Sequence, residues 1–345
     1  MQKRRMPQRV ALQVAAVTLV VMLQGACSHV NPVSQSNPVN QSSHTTTSNT
    51  APYDSKQNSS PMTSLKQRFS GAGILNGITP KQFAAHYNLA YGTDPRQRLD
   101  VYQPLPSSSS AMSSGVPSST QTKPVILFVH GGAWNSGSKD DYQFVGESFT
   151  KAGYVTVVMN YRLAPEHQYP DYVRDTALAI KWVHQHIATY GGNPQQIVVM
   201  GHSAGAFNAI EAVDNQRWLA EVGVPVSSIK AVVGIAGPYS YDFRNDDTRT
   251  AFPAGATPDN VMPDRHVRPD ASPHLLLIGS KDQRVKAINS QNLLKALQAK
   301  NIPAQLQVVE GANHVSIMAT VATRLDWYKN TRQQILDYLA KTLPR

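Results

Sequence analysis

The residues best suited to chemistry lie in residues 201–205, GHSAG, which follow an apolar run and precede the helix-compatible sequence AFNAIEAV. A serine in the pattern G-x-S-x-G at a turn from strand to helix has a strained backbone that projects its hydroxyl. Glycines on either side, Gly201 and Gly205, relieve the crowding that a Cβ would cause. Backbone N–H groups at the start of the helix favour developing negative charge. Ser203 is therefore the predicted nucleophile.

A nucleophilic serine needs a base, and the base needs a group that orients it. Asp282 follows the apolar run LLLIGS, and His314 follows the run LQVVEG. Both positions come after predicted strands, at the ends where open α/β sheets place their chemistry. The sequence therefore predicts a triad of Ser203, Asp282 and His314, in that chain order.

Other interpretations of these side chains remain open. Asp282 could instead cap a helix that starts shortly after it, and His314 could be a structural loop histidine. Asp264 and Asp270 are alternative carboxylates, but neither follows a strand. His202 adjoins the serine and is expected to point away from it, as scaffolding.

A second segment with chemical potential is HGGAW, residues 130–134, at the end of the run VILFVH. A tetrahedral intermediate needs N–H donors aimed at its oxyanion, and consecutive glycines let the backbone come close. We expect donors at Gly132 and Ala133, with Gly131 as a further candidate, together with Ala204 after the nucleophile. The alternative is a tight glycine turn packed by Trp134.

These side chains need a scaffold that brings the ends of several strands together. Buried-strand runs alternate with helical patterns, and two short strands joined by the turn GTDPRQ precede them. This alternation predicts an α/β fold: a mostly parallel central sheet, helices on both faces and an antiparallel N-terminal hairpin. The predicted strands are residues 86–91, 98–103, 125–130, 154–161, 197–203, 231–237, 275–280 and 306–311, and the predicted helices are residues 171–190, 286–300 and 322–341.

The motifs HGGAW, GHSAG, GSKD and GANH, in this order, resemble the esterase branch of the α/β-hydrolase superfamily from about residue 86 onward. Residues 161–167, YRLAPEH, are similar to a segment of hormone-sensitive-lipase-like esterases. Within it, Arg162 and Glu166 are interpreted as structural ion-pair residues, with Asp175 as a further partner. The motif GHSAG, with His202 before the serine, and the motif HGGAW are more similar to those of carboxylesterases of the ferulate and acetyl-esterase type and of kynurenine formamidases.

The resemblance implies a serine carboxylesterase that hydrolyses small or short-chain esters through an acyl-enzyme on Ser203, with no metal or cofactor. The polar residues 238–273 contain no long amphipathic pattern, which predicts a short cap-like excursion over an open site. Tyr239, Tyr241 and Phe243 could line a substrate pocket or pack beneath the loop. The alternatives are an arylformamidase or amidase with the same triad, and a non-catalytic surface lipoprotein that binds ligands.

The N-terminus has the features of an export signal. Residues 1–26 combine a basic start, an apolar stretch too short to span a bilayer comfortably, and small residues before Cys27. The sequence LQGAC resembles a bacterial lipoprotein signal, although Gln24 stands where such signals usually carry leucine. We predict lipidation of Cys27, an anchor in a membrane, and location in the cell envelope, as an outer-membrane lipoprotein or in the periplasm. A plain cleaved signal peptide and an uncleaved anchor remain alternatives.

Composition sets the remaining domain limits. Residues 27–63 are rich in Ser, Thr, Asn, Gln and Pro and predict a flexible tether, and residues 64–345 form the predicted catalytic domain with a Ser-rich surface loop at 107–122. The net charge of +10 is concentrated outside residues 124–345. Because that body is nearly neutral and has no basic stripe interleaved with aromatics, nucleic acid is not an expected partner. The sequence does not indicate an oligomeric state.

Overall fold

The apolar runs of the sequence form one sheet. The computed structural model describes residues 75–76, 83–105, 122–328 and 330–343, and eight strands pair within these ranges, in the order β1-β2-β4-β3-β5-β6-β7-β8. The strands are β1 (Phe83–Ala90), β2 (Arg98–Pro104), β3 (Lys123–Val129), β4 (Val155–Met159), β5 (Gly192–His202), β6 (Ile229–Ile235), β7 (His274–Gly279) and β8 (Ala304–Val309).

Strand direction follows the predicted pattern. Strand β2 pairs antiparallel with both β1 and β4. The other pairs, all among β3 to β8, are parallel. The parallel strands β3, β4 and β6 are almost wholly buried, as expected where helices cover both faces. The predicted α/β fold with an antiparallel N-terminal hairpin is therefore confirmed.

Helices connect and cover these strands. Four of them, the longer α1 and α4 and the four-residue α5 and α7, lie in segments where the sequence patterns did not predict a helix. The helices are α1 (Gln143–Thr150), α2 (Asp171–His186), α3 (Ala204–Asp214), α4 (Gln216–Val222), α5 (Pro258–Val261), α6 (Ile288–Ala299), α7 (Ser316–Ala319) and α8 (Thr331–Thr342).

The C-terminal helix differs from its predicted range of 322–341, because α8 begins at Thr331. Ala322 is extended, with φ −65° and ψ 130°, and only a short 3-10 turn follows it. The hydroxyl of Thr323 donates to the carboxylate of Glu147 on α1, at 3.0 Å. This contact between distant parts of the chain accompanies the break, and no local periodicity could have indicated it.

The topology brings the predicted functional residues to one edge. Ser203 directly follows β5, Asp282 lies three residues after β7, and His314 lies five residues after β8. Strand β3, which ends just before residues 130–134, is hydrogen-bonded to β5. Because these strands are parallel, their carboxyl ends meet at the same edge of the sheet.

Several predictions concern residues that the structure does not describe. The predicted signal peptide (1–26), Cys27, the tether (27–63) and residues 107–121 of the Ser-rich loop all lie outside the described ranges. Residues from Leu75 onward belong to one compact unit. Of the helices that are described, none is long and apolar enough to cross a membrane.

Candidate active site

Ser203 occupies a sharp turn between β5 and α3. Its backbone has φ 55° and ψ −125°, a left-handed conformation that non-glycine residues rarely adopt. The amide of Ser203 donates to the carbonyl of Ile235 on the neighbouring strand, at 2.9 Å. A Cβ at Gly201 would overlap the carbonyl of Gly205, and a Cβ at Gly205 would overlap the carbonyl of Val129. Both glycines are therefore required for this turn to fit against the sheet.

The structure brings the three predicted triad side chains into a continuous hydrogen-bonded line. Oγ of Ser203 lies 2.9 Å from Nε2 of His314, and Nδ1 of His314 lies 2.8 Å from Oδ2 of Asp282. Because an ionised carboxylate only accepts hydrogen bonds, Nδ1 carries the proton and Nε2 is left as the acceptor for the serine hydroxyl. This arrangement can remove a proton from Ser203 as its oxygen attacks an electrophile.

Asp282 uses its two carboxylate oxygens for two tasks. Oδ2 faces His314, whereas Oδ1 accepts hydrogen bonds from the amides of Arg284 and Val285, each at 2.9 Å. Burial raises the pKa of this carboxyl, but the hydrogen bond and charge of His314 and the two amides outweigh burial and hold the pKa below its ordinary value. Asp282 thus caps the turn at residues 284–285 while it contacts His314; it does not cap the next helix, α6, which begins at Ile288 and has no side-chain cap.

His202 contacts the backbone of the predicted base, and among the described residues no hydrogen bond joins its ring to the serine hydroxyl. Its Nε2 lies 2.9 Å from the carbonyl oxygen of His314, so Nε2 donates. Burial, together with the positive charge that His314 can carry, lowers the pKa of His202 to about 3. The ring is therefore neutral at physiological pH and acts as a fixed donor.

The loop after β3 approaches the serine closely. A Cβ on Gly131 would lie 3.1 Å from Cβ of Ser203, and a Cβ on Gly132, which has φ 130°, would overlap the carbonyl of Ser136. Among the described residues, none accepts a hydrogen bond from the amides of Gly132, Ala133 or Ala204. These three N–H groups are therefore available to a ligand.

Gly131 is placed differently from the other predicted donors. Burial raises the pKa of Tyr142 to about 12, and the backbone of Gly131 opposes that rise. The role of Gly131 as a further oxyanion donor stays a prediction. The lack of a side chain at Gly131 still matters, because it leaves room beside Ser203.

A pocket of about 780 Å³ opens above Ser203 and His314. The loop after β3 forms one part of its wall, and side chains from residues 238–248 and 284–289 form another. Of the three aromatics that could have lined it, Tyr241 does so, whereas Tyr239 and Phe243 are fully buried in the core. The polar and charged side chains of the wall are Asn135, Ser136, Asp246, Asp247, Thr248, Arg284, Lys286 and Asn289.

Sequence patterns did not single out these polar wall residues. Asp246 and Asp247 come from the loop after β6, and Arg284 and Lys286 come from the loop after β7. Each lies in an ordinary polar loop with no motif of its own, so only the folded chain reveals that they share a cavity.

The ion-pair interpretation of the YRLAPEH segment is partly wrong. Arg162 pairs with Asp175 through several short contacts, at 2.8–3.0 Å, and lies 3.6 Å from the carboxylate of Asp171. Glu166 is exposed, and no ion pair reaches it within the described ranges. Asp175 is fully buried and needs a cation, whereas an exposed glutamate gains little from one.

The described ranges also contain no cluster of three or more side chains suited to holding a metal.

Comparison with known proteins agrees with this architecture. The chain is 31% identical over 278 residues to the probable isoprenylcysteine alpha-carbonyl methylesterase ICMEL2 of Arabidopsis thaliana, covering 74% of this chain and 62% of that protein. It is 28% identical over 245 residues to esterase LipC of Mycobacterium tuberculosis, covering 66% and 58% respectively. The chain thus spans about three fifths of the length of these two relatives.

Solved structures show the same fold. Esterase B of Lactobacillus rhamnosis superposes with a TM-score of 0.62 at 18% identity, covering 81% of this chain and 92% of the other. Thermogutta terrifontis esterase 2 phosphonylated by sarin superposes with a TM-score of 0.61 at 23% identity, covering 77% and 99%. Residues 115–297, just over half of the sequence, match the BD-FAE family. The chain therefore belongs to the BD-FAE family, in the esterase branch of the α/β-hydrolases.

Proposed function

We propose that this protein is a serine carboxylesterase that hydrolyses small or short-chain carboxylic esters through an acyl-enzyme on Ser203. The observation that carries the proposal is the line of contacts from Oγ of Ser203 through His314 to Asp282, at 2.9 and 2.8 Å. The names of the relatives, which include esterases and methylesterases, support ester chemistry.

In the proposed reaction, His314 takes the proton of Ser203 as its oxygen attacks the ester carbonyl. The carbonyl oxygen becomes an oxyanion that accepts hydrogen bonds from the free amides of Gly132, Ala133 and Ala204. His314 then protonates the departing alcohol, and the same residue later activates water to release the acid from the serine. Asp282 stabilises the charged imidazole throughout.

The preference for small substrates rests on the walls of the pocket. A long acyl chain needs a continuous apolar channel, but much of this wall consists of polar or charged side chains. Residues 238–273, predicted as a short excursion, contain no helix longer than the four residues of α5 within this described segment. These features favour an open site for small or polar esters.

Location in the cell envelope, with lipid attached to Cys27, is also part of the proposal. Its support is the basic and apolar pattern of residues 1–26 and the single cysteine that follows. Replacing Cys27 by Ser and measuring whether the protein partitions with membranes tests this part separately from catalysis.

The test of the proposed activity is hydrolysis of p-nitrophenyl esters from acetate to palmitate by the full-length protein and by Ser203→Ala. We expect activity concentrated on the short chains and abolished in the variant. N-formyl aromatic amines are assayed in parallel. Formamide cleavage without ester cleavage would instead identify an arylformamidase, and neither activity in a folded protein would favour a binding role.

A further inference from the structure

The loop that carries the proposed oxyanion donors is held in an unfavourable backbone conformation. Ala133 and Trp134 are consecutive non-glycine residues with positive φ, 49° and 61°. This backbone conformation is unfavourable for residues that carry a side chain, so it persists only where surrounding contacts enforce it. The amide of Ala133 can donate to the proposed oxyanion only while the backbone keeps this conformation.

Trp134 supplies those contacts. Its side chain is 1% exposed and packs edge-on against Phe207 and Phe252, with both ring centroids 5.2 Å away. The indole Nε1 donates to Oδ1 of Asn208, at 2.8 Å, and the carbonyl of Trp134 accepts from the amide of Ala164, at 2.9 Å. The hydrogen bond to Asn208 gives the indole an orientation that ring packing alone does not specify.

Stability alone does not explain an asparagine at position 208. The side chain is fully buried on α3, and its Nδ2 has no hydrogen-bond partner among the described residues. A buried donor without a partner is destabilising, and an apolar residue of the same size would avoid that cost. What Asn208 gains is a single contact, the one to the indole of Trp134.

Helix α3 therefore reaches both sides of the proposed oxyanion hole. Ala204, its first residue, presents one free amide beside Ser203. Asn208 lies one helical turn further along and holds Trp134, whose backbone is continuous with the amides of Gly132 and Ala133 on the opposite side. Because a helix is rigid over one turn, it sets the spacing between the two groups of donors.

On this basis we propose that Asn208 is a positioning residue that acts through Trp134 to hold the donors of Gly132 and Ala133 in register with Ala204. The inference rests on the proposed esterase function. It predicts that loss of the Asn208–Trp134 hydrogen bond impairs stabilisation of the transition state without impairing ester binding.

The test compares Asn208→Leu, Asn208→Asp and Trp134→Phe with the wild-type protein. Asn208→Leu removes the acceptor and also the unpaired Nδ2, Asn208→Asp keeps an oxygen at Oδ1, and Trp134→Phe removes the donor. Thr156→Val is the matched control, since it replaces a buried polar side chain by an isosteric apolar one in β4, away from the pocket. For each protein we measure kcat, KM, Tm and the affinity for a trifluoromethyl ketone, which forms an oxyanion on the serine.

We expect Asn208→Leu to lower kcat by about 10- to 100-fold, since loss of an entire oxyanion donor costs on the order of 10²- to 10³-fold. KM and Tm should stay close to the wild-type values, and affinity for the ketone should fall in proportion to kcat. Because a carboxyl buried without a cation favours its neutral form, whose carbonyl oxygen still accepts from the indole, Asn208→Asp should recover most of the activity. Trp134→Phe should lower kcat by as much as Asn208→Leu does. The double variant that combines these two substitutions should have a kcat no lower than that of the more impaired single variant, because both substitutions remove the same hydrogen bond. Thr156→Val should leave kcat unchanged.

The inference is overturned if Asn208→Leu keeps kcat within twofold of wild type, or if kcat falls only together with Tm and Asn208→Asp restores neither. Where Asn208→Leu does not fold, Trp134→Phe and Asn208→Asp decide: a normal kcat in Trp134→Phe overturns the inference. These outcomes differ from failure of the proposed function, in which the wild-type protein itself hydrolyses no ester.

Discussion

Nε2 of His202 lies 2.9 Å from the carbonyl oxygen of His314, which joins the residue before the proposed nucleophile to the backbone of the proposed base. The two rings are 5.0 Å apart and tilted by 38°. The nucleophile turn and the loop after β8 are therefore connected twice, once through the Ser203 hydroxyl and once through this backbone contact. The second connection limits movement of His314 away from Ser203.

Replacing His202 by Leu should weaken catalysis while leaving the triad side chains intact. Loss of one hydrogen bond of about 1 kcal/mol that positions the base predicts a fall in kcat of roughly five- to tenfold, with little change in KM. Steady-state kinetics on a short-chain ester measure both parameters. The matched control is His186→Leu, which removes a similar histidine-to-carbonyl contact, 2.9 Å to Trp182, on the exposed end of α2. Equal effects of the two substitutions would contradict this role for His202.

Two buried histidines should make the fold sensitive to acid. Burial is the main cause that lowers the pKa of His130 and of His202, each to about 3. Between an unfolded-state pKa near 6.5 and the folded value, the unfolded chain binds a proton that the native protein does not, so stability falls as pH falls. Each histidine then removes about 1.4 kcal/mol per pH unit.

This prediction is checked by chemical unfolding at pH 6.5 and pH 5. The wild-type free energy of unfolding should drop across this interval, and His202→Leu should reduce the drop by about 2 kcal/mol, because one of the two contributing groups is gone. An identical drop in both proteins would show that His202 takes up its proton equally in the folded and unfolded states.

Replacing Gly132 by Ala should abolish most of the activity. Its φ of 130° is unfavourable for alanine, and the added Cβ would overlap the carbonyl of Ser136, so the loop that carries two of the proposed donors must move. We expect kcat to fall by 100-fold or more, on the order of the loss of one oxyanion donor. Gly153→Ala is the control, since Gly153 also has a positive φ, 95°, but its Cβ would meet no atom within 4 Å. Normal kcat in Gly132→Ala would argue against a role for this loop.

Asp282→Asn should separate the two tasks of this side chain. An asparagine oxygen can still accept from the amides of Arg284 and Val285, so the fold should persist. The amide cannot stabilise a charged imidazole and favours the wrong tautomer of His314, so kcat should fall by about 10³- to 10⁴-fold. Kinetics and thermal unfolding of the same sample test this pair of expectations. A large loss of Tm with a modest loss of kcat would assign Asp282 to turn capping alone.

The fold and the positions of the triad residues were accessible from sequence because their signals are local. Short apolar runs specify buried strands, and the turn at Ser203 is encoded by glycines at 201 and 205. Asp282 follows one such run by three residues, and His314 follows another by five. Parallel pairing then places the ends of these strands at one edge.

Features that depend on distant contacts were not accessible. Glu166 was interpreted as an ion-pair partner of Arg162 from the YRLAPEH segment, but the guanidinium binds the further predicted partner, Asp175, because burial leaves that carboxylate in greater need of a cation. Arg284 and Asp246 share a pocket wall only because the loops after β7 and β6 converge. Asn208 likewise carries no motif, and its contact spans 74 residues of sequence.

Covalent labelling shows directly whether Ser203 is the activated nucleophile. The folded protein is treated with a fluorophosphonate, digested and examined by mass spectrometry, beside Ser203→Ala and His314→Ala. We expect a single adduct on the peptide that contains Ser203, no adduct in Ser203→Ala and strongly slowed labelling in His314→Ala. Absence of an adduct in a folded wild-type protein, or an adduct that persists in Ser203→Ala, would show that Ser203 is not the activated nucleophile.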